Sequence, residues 1–339
     1  MKSWKKIGLL ILPAVLSMAF PAFAGQWERD GVTWKYLEDD GSYAQDTWQW
    51  IDGNGDGIAE CYHFDANGHL DQNTVVNNWI VDSTGAWVVG GNVQQLDLGA
   101  TQEEIGAIYQ AISETSSAMN SMDAQVDAVI NMTIDGESLE MLMDMNMKAN
   151  GLTSGNLELF YDMAVTAEGE TININMFYLD GYMYMDTMGT KIKMPMDMDE
   201  AMEQSMRMVS QMDISDPLYG MENLKLYYDG AKKTITYDMN SAELNSAVQG
   251  ILGASGMDMS ELGYTYEVTR ASGSVKVDEN GYPTEESVSM EMTMDFLGMT
   301  MDMGIDMTIV INEPGQPVVI SFPSTEGYEE LIGYEDVAV

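Results

Sequence analysis

The sequence predicts an α+β, β-rich chain in which short β-hairpin repeats precede a curved antiparallel sheet packed on helices. Three observations carry this. Residues 25–92 hold six of the seven tryptophans and no methionine, whereas residues 100–339 hold no tryptophan and nearly all of the 32 methionines. In the first part, aromatic-x-aromatic segments followed by Asp/Gly turns recur with a period near 20 residues. In the second, apolar residues alternate over long segments, which is the period of a strand with one face buried.

The elements follow in order. Residues 1–24 place Lys2, Lys5 and Lys6 before an apolar run that ends in Ala22-Phe23-Ala24. That pattern predicts a secretory signal peptide and sets it apart from the fold. No later segment is apolar enough to span a membrane. Cys61 is the only cysteine, so no disulfide within the chain is expected. The charge is −41, from 14 Lys+Arg against 55 Asp+Glu. Such a chain is repelled by nucleic acid and by anionic lipid surfaces. A hydrophobic fraction of 45% separates it from a disordered acidic tail. The domains expected are hairpin repeats over 25–92, a linker over 93–100 in "GGNVQQLDLGA", and a methionine-rich domain over 101–339.

The hairpin part repeats itself. "WKYLEDDGSYAQDTWQWIDG" and "CYHFDANGHLDQNTVVNNWIVDSTGAWVV" each run from paired aromatics through an Asp/Gly turn and a polar stretch to Trp. Units this short cannot bury a face alone and must stack. Trp27, Trp34, Tyr36 and Gly41 form one unit, Trp48, Tyr62, Phe64 and Gly68 the next, and Trp79 with Trp87 a degraded third. Over these residues the chain resembles the choline- or glucan-binding repeats of Gram-positive cell-wall proteins. The resemblance implies secretion, attachment to a choline-bearing or glycan wall polymer, and a wall-ligand site built from Trp27, Trp34, Tyr36 and Trp48. Aromatic faces would hold choline by cation–π contact or stack on sugars. Cys61, His63 and Val88-Val89 stand where that family places aromatics, which breaks a full choline cage. The other reading is that the aromatics only pack the hairpin stack.

The second hairpin carries "WIDGNGDGIAECYHF", with Asp52, Asn54, Asp56 and Glu60 at alternating positions and Gly57 at the sharp turn. Hard oxygen ligands in a tight loop suit Ca²⁺, with the Ile58 carbonyl completing the set, at an extracellular-type Kd of roughly 10⁻⁴–10⁻³ M. The nine-residue form resembles the calcium hairpin loops of integrin-type propellers. A Gly/Asn/Asp turn without an ion is the other reading. No organic cofactor is expected.

In the methionine-rich part, "TQEEIGAIYQAISETSSAMNSM" predicts an amphipathic helix with Thr101 and Glu104 as a capping box. Alternation then takes over. Val126 to Ile134, Met141 to Met147, Ile172 to Tyr178, Met290 to Phe296 and Met299 to Ile309 each place apolar residues on one side. These predict antiparallel strands with one apolar and one wet face, interrupted by helices near 198–212 and 241–253. On "MEMTMDFLGMTMDMGIDM" the residues Met290, Met292, Met294, Met299, Met301 and Met303 should point inward, because reversing the strands would bury Glu291, Asp295 and Asp302.

Three uses compete for those thioethers. They suit Cu(I), but no His or Cys accompanies them in this domain, and dispersed methionines make no discrete site. They can be plain core. They can line an adaptable pocket, since Met is flexible and polarizable. At "SSAMNSMDAQVDAVINMTIDGESLEMLMDMNMKA" and "FYLDGYMYMDTMGTKIKMPMD" the chain resembles secreted Firmicutes lipoproteins with a LolA/LppX-like fold. The resemblance implies a half-barrel around a hydrophobic cavity for an acyl chain or lipid. The tethering cysteine of such lipoproteins is absent, and the wall-binding repeats would replace it. Both histidines lie in the first module and no phosphate loop occurs, so no enzymatic site is expected. The reading is a secreted, wall-attached protein that binds or senses an apolar ligand. The alternative is a structural surface protein whose methionine face is only core.

Overall fold

The computed structural model describes residues 25–331, except 39, 135, 155, 199–216, 255–263 and 297–298, and only the backbone of 250–254, 264 and 296. The chain divides into two compact units. One comprises the described residues up to Ala107 together with Asn223–Thr236, the other the described residues from Ile108 to Glu222 and from Tyr237 onward. Residues 1–24, expected as a leader, lie outside the described residues, as does the helix expected near 198–212 beyond Met198.

The first unit is made of hairpins. β1 (Gln26–Asp30) pairs β2 (Thr33–Leu37), and β3 (Thr47–Ile51) pairs β4 (Ile58–Phe64). β5 (Thr74–Val76), β6 (Trp79–Val81), β7 (Trp87–Val89) and β8 (Asn92–Asp97) form a meander. The repeat is visible as one turn used three times. Leu37 bridges Tyr43, Phe64 bridges Leu70, and Val81 pairs Trp87. Inside each turn the N–H of Gly41, Gly68 or Gly85 donates to the carbonyl of Glu38, Asp65 or Asp82 at 2.9, 2.9 and 3.1 Å. These glycines hold φ of 82, 77 and 92°, where a side chain would be strained. The Asp65 carboxylate also accepts the N–H of Asn67 and His69, and Asp82 those of Thr84 and Ala86. Asp and Gly thus set the turn by supplying an acceptor and a left-handed residue.

The expected linker over 93–100 is corrected. Residues 93–97 belong to β8, which pairs β4 through Ile58↔Asp97 and β15 (Met221–Asp229) through Leu226↔Asp97 to Asp229↔Gln94. Its polar sequence reads as a linker, but its backbone groups are satisfied in ladders on partners far away in sequence. The hairpin module therefore extends past residue 92 and takes in the segment 223–236.

α1 (Gln102–Ser117) starts at the expected box: Glu104 N–H donates to Thr101 Oγ1 at 3.2 Å, and Thr101 N–H to Glu104 Oε2 at 2.8 Å. In the second unit, long strands dominate. β9 (Ser121–Ile134), β10 (Glu137–Asn150), β11 (Glu158–Ala167), β12 (Glu170–Leu179), β13 (Tyr182–Thr187) and β14 (Thr190–Pro195) follow as an antiparallel meander. β16 (Lys232–Met239) leads to α2 (Ser241–Ala254), whose first N–H groups, those of Ala242 and Glu243, are capped by Asn240 Oδ1. β17 (Tyr264–Val277), β18 (Pro283–Phe296) and β19 (Met299–Ile311) extend the sheet, and β20 (Glu329–Glu330) is added in parallel. The spatial order is β17-β18-β19-β9-β10-β11-β12-β13-β14-β20. The β-rich α+β class is the one the alternation predicted.

The core of this unit gathers Met122, Ala124, Val126, Ala149, Leu159, Ile309 and Ile311, with Met143, Met145, Met147, Tyr161 and Met307 packed against it. On the other face of the sheet, Phe177 stacks on Tyr184 at 4.6 Å, and Phe322 and Tyr328 from the C-terminal segment lie over Phe177.

Candidate functional site

The strand registers turn the alternating pattern into one continuous face. Directly opposed residues share a face, so rows can be followed across the sheet. One row runs Met292, Met303, Met132, Leu139. The next runs Met290, Ile305, Ile130, Met141, Ala167, and the one after it Val288, Met307, Ala128, Met143, Val165, Ile172. A further row continues from Ile311 through Ala124, Met147, Tyr161, Met176 and Met185 to Ile192. The carboxylates alternate onto the opposite side, where Asp302 accepts from Thr293 at 2.9 Å and Asp306 from Ser289 at 2.7 Å.

Burial changes along this face. Met122, Ala124, Val126 and Ala128 in β9 are buried, Ile130 and Met132 are half-buried, and Ile134 is 44% exposed. Ile172 is 43% exposed in the same way. Met290, Met292, Met294, Met301 and Met303 are half-buried on the apolar side, as their parity requires. Met299 departs from the expected inward placement: it sits at the hairpin tip and is 47% exposed. The pairing of β19 with β9 begins only at Met301↔Ile134, so no β9 residue stands beside Met299. On the row beside Met294, the Tyr266 hydroxyl is enclosed without a hydrogen-bond partner among the described residues.

On β18 one acid breaks the pattern. Glu286 has the same parity as Val288 and Met290 and stands opposite Ile309 and Val275 on the apolar face. Burial pushes its carboxyl up to about 7. Tyr109 of α1 and Tyr237 of β16 lie within its electrostatic reach, with their rings edge-to-face at 5.7 Å. Desolvation raises both phenols, Tyr109 to about 12. Gly273 makes this possible, because a Cβ there would run into the Tyr237 ring. A cleft of about 800 Å³ opens at the C-terminal end of α1, lined by Ala111, Thr115, Met119, Tyr282 and the 315–317 turn.

In the hairpin module the aromatic residues do not share one role. Tyr36 is corrected from ligand residue to core. It is 3% exposed, packs with Phe64, and its hydroxyl accepts the N–H of Gly25 at 3.0 Å. Trp27 is half-buried against Tyr36, Tyr62 and Phe64, with ring centroids 5.2, 5.0 and 5.7 Å away. Trp48 is half-buried and touches His63 and Trp87. Trp34 is exposed, and so is Trp79, which leans on Trp87. Trp87, at the centre of contacts with Trp48, Trp50 and Trp79, was not among the expected site residues. The Trp79 and Trp87 positions in the degraded third unit were the available signal.

The acidic loop closes on itself. Asp52 accepts N–H groups from Gly55 at 2.7 Å, Asp56 at 3.2 Å and Gly57 at 2.9 Å. Against desolvation, these donors hold its carboxyl below the ordinary value. Asn54 donates to Asp56, and Asp56 accepts the N–H of Ile58. Glu60 lies on β4 and accepts from Gln95 at 3.1 Å instead of joining the loop. Among the described residues no three His, Cys, Asp or Glu side chains are gathered for a metal ion. Of the expected set, Asp52, Asn54, Asp56 and Ile58 share the loop and Glu60 stands outside it. Cys61 is buried, and desolvation pushes its thiol up to about 12, far from a reactive thiolate.

Residues 104–322, well over half of the chain, match one family model. The chain belongs to the family of unknown function DUF6612. No curated protein matches this DUF6612 chain. Among solved structures it is similar to the Mycobacterium tuberculosis lipoprotein LppX, at 10% identity and a TM-score of 0.34, over 65% of this chain and 100% of that one. It is similar to LprF from Mycobacterium bovis at 15% identity and a TM-score of 0.29, over 67% and 100%. A DUF1329 protein from Desulfovibrio piger aligns at 10% identity and a TM-score of 0.21, over 64% and 95%. Scores of this size leave the architecture of the DUF6612 domain to be read from its own strand register. No described helix is long and apolar enough to cross a membrane.

Proposed function

We propose that this chain is a non-catalytic envelope protein of the LolA type that takes up an apolar ligand, an acyl chain or lipid, on the methionine-rich face of its long sheet. The observation that carries the reading is the gradient along that face: buried at the Met122 end, half-buried at Met132 and Met303, open at Ile134 and Met299. A plain core would close over its whole apolar surface. A face that opens progressively leaves surface for a ligand to cover, worth about 0.8 kcal/mol per methylene buried. Methionine suits such a surface because its flexible thioether refits to chains of different shape. The N-terminal hairpin module serves as the attachment to a cell-wall polymer, with Trp34 and Trp79 as its exposed aromatic contacts.

The test is displacement of a fluorescent fatty acid from the full chain. Saturable binding that long-chain fatty acids compete away is expected. Absence of saturable binding rejects the carrier and leaves the methionines as core. Retention on isolated walls tests the attachment: a double Trp34→Ala, Trp79→Ala variant should wash off, and unchanged retention rejects it.

A further inference from the structure

The register gathers methionines that looked dispersed along the chain. Met292 stands directly opposite Met303, and Met303 directly opposite Met132. These three sit side by side on β18, β19 and β9. Among the described residues no other three methionines are opposed on consecutive strands. Met145 faces only Met163, Met176 only Met185, and Met183 only Met194. Met294 and Met301 form a further opposed pair one row along.

Opposed Cβ atoms on neighbouring strands are about 4.5–5.5 Å apart. With three rotatable bonds each, thioethers from Met292 and Met132 can swing over Met303 and present three sulfurs to one point. The three residues are half-buried rather than sealed, so an ion can reach them. The donors are soft and neutral, which selects soft ions of low charge over Ca²⁺, Mg²⁺ or Zn²⁺. The hard ligands next to the trio on its own strands face away: Glu291, Thr293 and Asp302 alternate onto the opposite side of β18 and β19. The unit holds neither histidine nor cysteine to compete, since His63, His69 and Cys61 belong to the hairpin module. A net charge of −41 raises the local concentration of any cation.

We propose that Met132, Met292 and Met303 form an all-thioether site for a monovalent soft metal ion, Cu(I), with Met294 and Met301 as neighbouring sulfurs onto which the ion can pass. Binding involves no electron transfer at the protein. The ion arrives and leaves in the +1 state. The site is independent of the carrier reading, because it needs only the three opposed sulfurs and not an acyl chain on the face.

Ag(I), which has the same charge and softness and no redox chemistry in buffer, is the first probe. The full chain with ¹³C-methyl methionine is titrated with silver nitrate in chloride-free buffer. One equivalent should shift the methyl signals of Met132, Met292 and Met303 before any others. Competition against bicinchoninate under ascorbate repeats the measurement with Cu(I). Met303→Leu, which removes the central sulfur, should weaken binding at least tenfold. Met292→Leu should do so comparably, while Met145→Leu and Cys61→Ser bind as the unsubstituted chain. The proposal is overturned if neither ion binds, if Met303→Leu and Met292→Leu bind as before, or if Cys61→Ser abolishes binding. Fatty-acid displacement measured on the unsubstituted chain separates the two readings: its absence rejects the carrier, while the Ag(I) and Cu(I) titrations decide the metal site by themselves.

Discussion

The hairpin module and the long sheet are both antiparallel β-structure, yet they hold their shape by opposite means. In the module, register is local. A five-residue turn recurs between Leu37 and Tyr43, Phe64 and Leu70, and Val81 and Trp87, and stiff aromatic rings meet in edge-on pairs such as Trp27–Tyr62 and Trp79–Trp87. In the sheet, register runs over strands of 13 or 14 residues, and the facing side chains are mostly flexible thioethers and aliphatics. Rings with two torsions lose little freedom on packing and specify one arrangement. Methionine side chains lose more and specify less. The comparison teaches that strand pairing and side-chain order are separable. The sheet can be firm in its backbone while the surface it presents stays adaptable.

Three measurements bear on that contrast. The largest effect is expected in the module. Phe64 is fully buried among Trp27, Tyr36 and Leu70. Phe64→Ala should cost about 3–5 kcal/mol, read by tryptophan fluorescence in denaturant, which reports only on residues before 93 because the rest of the chain has no tryptophan. A loss below about 1 kcal/mol would show that the rings are loosely packed and that the contrast is false.

The second concerns the desolvated acid on the soft face. The folded Glu286 carboxyl is raised from 4.5 to about 7, so between those values the folded chain binds more proton than the unfolded one. Stability therefore falls as pH rises from about 4.5 to 7 and levels off above it. The loss is at most about 3 kcal/mol at 1.36 kcal/mol per unit, less because the residue is only partly buried. Glu286→Gln should remove this part of the pH dependence while leaving Tyr109 and Tyr237 in place. An identical slope in the variant rejects the assignment.

The smallest effect is expected in the sheet. Met145→Leu conserves volume against Val126 and Met163 and should change stability by under about 1.5 kcal/mol. A larger loss in thermal unfolding would mean that the thioethers are fitted as tightly as the aromatic rings.

Much of the sheet could be read before its pairing was known, because parity alone puts Met290 to Met294 with Met301 to Ile309. The module was harder. Trp34 and Tyr36 share one parity on a short strand, and only the stacking against Phe64 decides that Tyr36 is core and Trp34 open. The polar run at 93–97 hid a strand because its partner, Leu226 to Asp229, is more than a hundred residues away. The lateral trio of methionines was hidden for the same reason. Alternation shows which residues share a face, and only register shows which stand abreast. Glu286 was missed, although its parity with Val288 and Met290 was the available signal.

The short strand β20 has a bearing on how these molecules live together. A sheet ending at β14 would offer a neighbouring molecule a row of free N–H and C=O groups. Instead Glu329 and Glu330 lie parallel to Ile192 and Lys193, the N–H of Leu331 donates to the Lys193 carbonyl at 3.0 Å, and Lys193 pairs with Glu330 at 3.4 Å. Two residues of the tail thus occupy the template and put two carboxylates where another strand would dock. A protein with apolar residues as open as Ile134, Ile172 and Met299 is exposed to polymerising through its edges, and along Ile192 and Lys193 the tail takes the place a second molecule's strand would need.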